Sequence, residues 1–208
     1  HGDRSAFPTD LRTMQLDRDH WEGRYLAGDT GWDAGGPTTP LKAYIDQLTD
    51  KDLRILIPGG GRAWEAEYAH RHGFRNVYMI DLTDAPFKDL LHRCPDFPPE
   101  HLITGDFFAH EGRYDRILEQ TFFCALDPSL RRRYVAHMAT LLRPATTEHA
   151  GGVLVGVLFD APMNADRPPF GGSRSEYLPL FREHFEQVSL EPCYNSIPPR
   201  AGNEVWLR

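Results

Sequence analysis

"LRILIPGGGRAWEAEYA", residues 53–69, decides the fold class. Leu53–Ile57 is a short apolar run of the kind that forms a buried strand. Pro58 ends it, three glycines follow, and Arg62–His72 then has helical character up to Gly73, a helix-stop signal. Strand, glycine turn and helix make one βα unit, and the same rhythm continues downstream. Val77–Asp81 is the next apolar run. Thr83 or Asp84 caps a following helix, with Pro86 in its first turn, to about Arg93. His101–Thr104 and Tyr114–Gln120 read as two further strands. Pro128 opens a helix to about Leu142, stopped by Pro144, with Leu130, Tyr134, Val135, Met138, Leu141 and Leu142 at helical spacing. Gly152–Phe159 lies in "GGVLVGVLF", the longest β-branched run and a central strand. Ser175–His184 reads as a helix, and Gln187–Leu190 and Glu204–Leu207 as two last strands.

Alternating strands and helices imply an α/β domain, a mostly parallel sheet with helices on both faces. The final two strands have no helix between them, so as neighbours they pair antiparallel, which predicts a reversed strand near the end. Residues 1–50 are aromatic and helix-like with turns, and they precede the alternating pattern of residues 51–208.

Composition narrows the function. The 208 residues are 40% hydrophobic and 25% charged, an ordinary globular profile. The net charge of −7 argues against a nucleic-acid surface. There is no apolar run of about 18 residues, which argues against a membrane span, and the start HGDRSAFPTD is polar, without the look of a signal peptide. Cys94, Cys124 and Cys193 are odd in number and widely spaced, which suggests reduced thiols in a cytoplasm. No H-E-x-x-H or Cys/His spacing is present, so no metal is expected.

In an open parallel sheet a ligand binds beyond the carboxyl ends of the strands. Gly59, Gly60 and Gly61 follow the first strand and open a helix. Glycine there permits φ > 0 and close approach of a ligand. Asp81 ends the second strand, where a carboxylate can take both hydroxyls of a ribose. Gly105-Asp106-Phe107-Phe108 follows the third strand, where Asp106 can accept from an adenine amino group beside an aromatic ring. Each feature alone has a plain alternative: a tight turn, a helix cap, an Asx loop. Placed at three consecutive strand ends, they point to an adenosine cofactor. NAD and S-adenosylmethionine both fit so far. A dinucleotide fingerprint, however, needs glycine where Trp64 stands, and this residue is too bulky for that close packing.

Several segments together resemble the thiopurine S-methyltransferase family, closer to its plant halide/thiol methyltransferase branch. They are WEGRYLAGDTGWDAGGPTTPL, LIPGGGRAWEAEYAHRHGF, IDLTDAPF, GDFF, YDRILEQTFFCALDPSLRRRYV and PPFGG, and the resemblance covers nearly the whole chain, from about Trp21 to Trp206. The resemblance implies a class I, Rossmann-like methyltransferase fold with a seven-stranded sheet, S-adenosylmethionine as cofactor, S-adenosylhomocysteine as product, and a monomer. It also implies that residues 1–50 form an N-terminal helical lid segment of the same domain, ahead of a cofactor-binding core over residues 51–208. Trp21 and Trp32 then line the cofactor pocket from the lid, and Gly59–Gly61 lie under the methionine part. Asp81 binds the ribose with Leu82 near adenine, and Asp106 and Phe107 flank the base. Glu119, Gln120 and Thr121 sit at the strand end near the transferring methyl, and PPFGG lies near the active site.

Tyr25, Phe122, Phe123, Phe159 and Phe170 are candidates for an apolar acceptor pocket. The mammalian thiopurine branch carries an Arg just after this fourth strand; here Gln120-Thr121-Phe122-Phe123 stands instead, which argues against a thiopurine acceptor. The expected acceptor is a small soft nucleophile: a thiol or hydrosulfide, a halide, or a selenium or tellurium species. No catalytic base is evident. The alternatives are a non-catalytic S-adenosylmethionine-binding protein and an NAD-dependent oxidoreductase.

Overall fold

The computed structural model describes residues 16–208; the polar first stretch, and with it the start of the expected lid, lies outside the described residues. Two helices, Arg18–Leu26 (α1) and Thr39–Gln47 (α2), precede the first strand, Arg54–Pro58 (β1). The chain continues through Trp64–Arg71 (α3), Asn76–Asp81 (β2), Ala85–Arg93 (α4), Leu102–Thr104 (β3) and Arg116–Glu119 (β4). Arg131–Leu141 (α5), Val153–Phe159 (β5), Arg174–Arg182 (α6), Leu190–Pro192 (β6) and Glu204–Leu207 (β7) complete it. The seven strands form one sheet in the order β3-β2-β1-β4-β5-β7-β6. All neighbours are parallel except β7, which runs antiparallel to both β5 and β6.

The apolar run of β1 is the axis of this sheet. Ile55, Leu56 and Ile57 are no more than 1% exposed, and successive residues serve opposite faces. Leu56 joins the cluster under α5 and α6, and Ile55 and Ile57 join the cluster under α2, α3 and α4. A period of two with apolar residues at every position is what burial on both faces demands. Burying each of these side chains contributes about 1.5–3 kcal/mol.

Local chemistry sets the helix ends. Thr83 Oγ1 accepts from the Ala85 N–H at 3.3 Å, so Thr83 supplies the cap of α4, while the Asp84 side chain makes no capping bond. Ser173 Oγ accepts from the Glu176 N–H, a Ser-x-x-Glu pattern that starts α6 at Arg174.

The expected strand Gln187–Leu190 is displaced to Leu190–Pro192. The register of β7 decides this: Leu207 stands opposite Leu190 and Val205 opposite Pro192. Leu190 is buried, whereas Glu191 and Pro192 lie exposed on the sheet edge, where a proline is tolerated.

Candidate functional site

The loops beyond β1, β2 and β3 are fastened to one another through the backbone. The Gly59 N–H donates to the Ile80 carbonyl and the Gly105 N–H to the Asp81 carbonyl, both at 2.8 Å. Gly59 has φ +55° and Gly61 φ +58°, so the turn needs glycine at both places. A Cβ at Gly59 would lie 2.3 Å from Phe122 Cδ2, and one at Gly61 would lie 3.2 Å from Trp32 Cδ1. Gly60 faces the other way, into the core, where a Cβ would meet Met79 Cε at 2.7 Å.

Beyond these strand ends lies a cavity of about 680 Å³. Gly59, Asp81, Leu82 and Phe107 line it, as do Thr121, Phe122 and Phe159. Trp21, Tyr25 and Trp32 close one side. These three rings meet edge to face, Trp21–Trp32 at 5.6 Å and Tyr25–Trp32 at 5.4 Å, and the Arg24 guanidinium lies 4.7 Å from the Trp32 ring centre. Helix α1 itself has no buried residue, so aromatic stacking rather than a helical core holds this side in place.

Asp33 anchors the same segment. It accepts from the Trp64 indole N–H at 2.7 Å and from Arg62 at 2.8 Å, which binds the segment between α1 and α2 to the start of α3. The residue that argues against a dinucleotide thus helps to anchor this segment.

Asp81 is half-buried at the cavity wall. Burial pushes its carboxyl up to about 6, against the opposing pull of the Thr83 and Leu82 N–H groups. Burial, with Asp81 nearby, also raises the Tyr25 phenol, so it stays neutral.

Glu119 is fully buried at the end of β4. Its oxygens accept from the Phe122 N–H at 2.9 Å, the Phe123 N–H at 3.0 Å and the Tyr134 hydroxyl at 2.6 Å. Burial raises its carboxyl to about 7 despite these donors. The carboxylate thereby shapes a turn in which Thr121 takes φ +54°, which aims Thr121 and Phe122 at the cavity.

Other candidates lie behind the wall. Gln120 is buried, and its Oε1 accepts from Thr38 Oγ1 at 2.8 Å. Phe123 is 1% exposed and packs against Tyr134 and Tyr177, and Phe170 is buried beneath the cavity. Asp106 accepts from the Phe108 N–H at 2.9 Å, an Asx turn, and its side chain does not line the cavity.

The opposite wall comes from segments that periodicity does not single out. Cys124, Leu126 and Asp127 contribute from the turn after β4, Pro162, Met163, Pro168 and Pro169 from the loop after β5, and Pro199, Arg200 and Asn203 from the β6–β7 loop. Only PPFGG, for Pro168 and Pro169, and the segment YDRILEQTFFCALDPSLRRRYV, for Cys124, Leu126 and Asp127, carried a signal for any of them. The glycines of PPFGG are forced by crowding, since a Cβ at Gly172 would lie 2.2 Å from the Tyr177 hydroxyl. Arg200 donates to the Trp32 carbonyl at 3.1 Å and so joins the last loop to the segment between α1 and α2.

Comparison with known proteins agrees with this geometry. The family model described as thiopurine S-methyltransferase matches residues 16–206. A protein of Arabidopsis thaliana named "Probable thiol methyltransferase 2" is 29% identical over 193 residues, 88% of this chain and 81% of its own. Thiocyanate methyltransferase 1 of Brassica oleracea is 27% identical over 191 residues, again 88% and 81%. Among solved structures, the 1,6-didemethyltoxoflavin-N1-methyltransferase of Burkholderia thailandensis has a TM-score of 0.67 at 20% identity, covering 91% of this chain and 84% of that one, and shares the fold. The strand order with its reversed β7, the aligned strand-end loops and the whole-length match lead to one conclusion: the chain belongs to the thiopurine S-methyltransferase family and is an S-adenosylmethionine-dependent methyltransferase.

Proposed function

We propose that the chain methylates a small soft nucleophile, a thiol or hydrosulfide, a halide, or a selenium or tellurium anion, in preference to a thiopurine. The carrying observation is the two-ended character of the cavity: a polar end at Asp81 and an apolar end walled by Phe122, Leu126, Phe159, Pro162 and Met163. Arg200, which also lines the cavity, favours an anion. The named relatives, a thiol and a thiocyanate methyltransferase, support this acceptor class.

The residues fit the cofactor. Asp81 Oδ1 is engaged by the Thr83 N–H at 3.1 Å, while Asp81 itself faces the cavity, an acceptor set suited to ribose hydroxyls. In this reading Leu82 and Phe107 cover the adenine, with Asp106 at its rim, and Gly59 and Gly61 form the floor under the methionine part while Gly60 turns into the core. Trp21 and Trp32 close over it as a lid. When bound, S-adenosylmethionine supplies a methyl group on a sulfonium sulfur, a leaving group already activated by its charge.

The chain's own task is therefore alignment and exclusion of water. Thr121 and Phe122 set the acceptor's approach, and Glu119 and Gln120 support them from behind. Phe159 packs on the far side, with Phe123 and Phe170 backing the wall. A thiolate or halide needs no proton removed, so no dedicated base is required. Asp127, the acid beside Leu126, is already engaged by the Ser129 N–H at 2.9 Å.

No helix among the described residues is long and apolar enough to cross a membrane. The three free cysteines support a reducing compartment, the cytoplasm, and we take the working form as a monomer without nucleic acid. The test is a product screen with S-adenosylmethionine against thiols, hydrosulfide, iodide, thiocyanate, selenium and tellurium oxyanions and thiopurines, alongside calorimetric binding of S-adenosylhomocysteine. Turnover of soft anions ahead of thiopurines is expected. Tight cofactor binding with no turnover would replace this reading with that of a cofactor-binding protein.

A further inference from the structure

At the end of α3 away from the glycine turn, three potential ligands converge that no sequence spacing announces. His70, Cys94 and Asp96 each offer one ligand atom, and these atoms all lie within 4.8 Å of one another. Asp96 Oδ2 is 3.0 Å from His70 Nε2, and Asp96 Oδ1 is 3.3 Å from Cys94 Sγ. Ligands about 2.0–2.3 Å from a tetrahedral zinc stand about 3.3–3.8 Å from each other, so only small side-chain adjustments separate this cluster from coordination.

The cluster is built into the fold. Phe97 N–H donates to the Cys94 carbonyl at 3.1 Å, which closes a turn with Pro95 inside it and holds Cys94 and Asp96 on one edge. The His70 ring packs on buried Phe97 at 5.0 Å between centres, so its orientation is fixed by packing as well as by Asp96. Cys94 is 1% exposed, and the Asp96 side chain, at 80%, faces solvent and gives an ion a way in. His70 lies in the last turn of α3 and Cys94 caps the end of α4. Two helix C-termini, each with its partial negative charge, meet at one point, which favours a cation there. The neighbouring arginines are engaged elsewhere: Arg71 and Arg93 both pair with Glu67, at 3.1 Å each.

We propose that His70, Cys94 and Asp96 form a binding site for a divalent transition-metal ion of the zinc class, with solvent as the fourth ligand. The thiolate, imidazole and carboxylate set suits a borderline-soft ion and not magnesium or calcium. Binding deprotonates the Cys94 thiol, forms a metal–sulfur bond and releases one proton to solvent. The ion would fasten the end of α3 to the end of α4, on elements that carry the glycine turn and Asp81 only at their opposite ends.

The experiment uses the full chain, treated with chelator, and cobalt(II) as a spectroscopic substitute for zinc. A thiolate-to-cobalt charge-transfer band at one equivalent is expected, displaced by zinc. It should be lost in Cys94→Ser and kept in Cys193→Ser. His70→Ala and Asp96→Ala should each weaken zinc binding at least tenfold by calorimetry. Asp96 is exposed, so its variant tests the site even if Cys94→Ser folds poorly. No band in the native chain, or zinc affinity unchanged in both His70→Ala and Asp96→Ala, would overturn the proposal.

Discussion

The ring of Phe122 lies against the backbone of Gly59, so closely that a Cβ at Gly59 would stand 2.3 Å from its Cδ2. The ends of β1 and β4, neighbours in the sheet though far apart in sequence, thus meet in a single contact at the cavity. Gly59→Ala should be costly twice over: the left-handed φ of +55° disfavours a side chain by about 1–2 kcal/mol, and the ring must also move. A lower melting temperature and weaker S-adenosylhomocysteine binding are expected. In a Phe122→Ala background the steric part of the loss should disappear while the backbone part remains.

Asp81→Asn should weaken S-adenosylhomocysteine binding by about 1–3 kcal/mol, the scale of lost hydrogen bonds to a charged acceptor. The native carboxyl titrates near 6 in the free protein, so binding that relies on the carboxylate should weaken as pH falls through that value. Calorimetry from pH 5 to pH 8 checks both points, and an unchanged affinity in the variant would remove Asp81 from the ribose site.

Glu119 gives a stability signature. Its folded carboxyl is raised from 4.5 to about 7, so the folded state holds the proton more tightly than the unfolded chain. Its contribution is fully present below about 4.5 and is lost as pH rises toward 7. The melting temperature of Glu119→Gln minus that of the native protein should therefore rise across this window. The amide can accept fewer of the three donors, so at low pH the variant should be less stable by about 1–3 kcal/mol.

Trp32→Ala should separate binding from folding. Its ring stacks with Trp21, Tyr25 and Arg24, in a segment whose helix buries nothing. Cofactor affinity should fall about tenfold or more, while the melting temperature changes little, because each aromatic pair is worth about 0.5–1.5 kcal/mol. Calorimetry and thermal melts on the same sample distinguish the two effects.

The legible part of this protein was the part governed by local chemistry. β1, the glycine turn and α3 could be read because apolar period, proline and glycine act within a few residues of each other. That Asp81 and Phe107 come to one cavity wall could be read because strand ends in a parallel sheet all point to one edge. Less legible was anything set by register or by long loops. The strand before Cys193 moved by three residues because Leu207 and Val205, not its own pattern, choose its partners. Phe123 and Phe170 have the same composition signal as Phe122 and Phe159; the turn held by Glu119 decides that Phe122 and not Phe123 faces the cavity, and the end of β5 places Phe159 there. Arg200 and Met163 reach the site from loops whose path no periodicity encodes. His70 and Cys94 stand 24 residues apart, so their meeting is visible only once α3 and α4 are docked.

The bond from Arg200 to the Trp32 carbonyl spans 168 residues of chain. It ties the Trp32 side of the cavity to the β6–β7 loop. Lifting the one must break that strut or drag the other with it. On the proposed reading of the cavity, entry and exit at the cofactor and acceptor ends are therefore mechanically coupled. Spent cofactor should leave only after the methylated product has gone or together with it, which makes the order of product release, rather than the transfer itself, the natural place to look for the slow step.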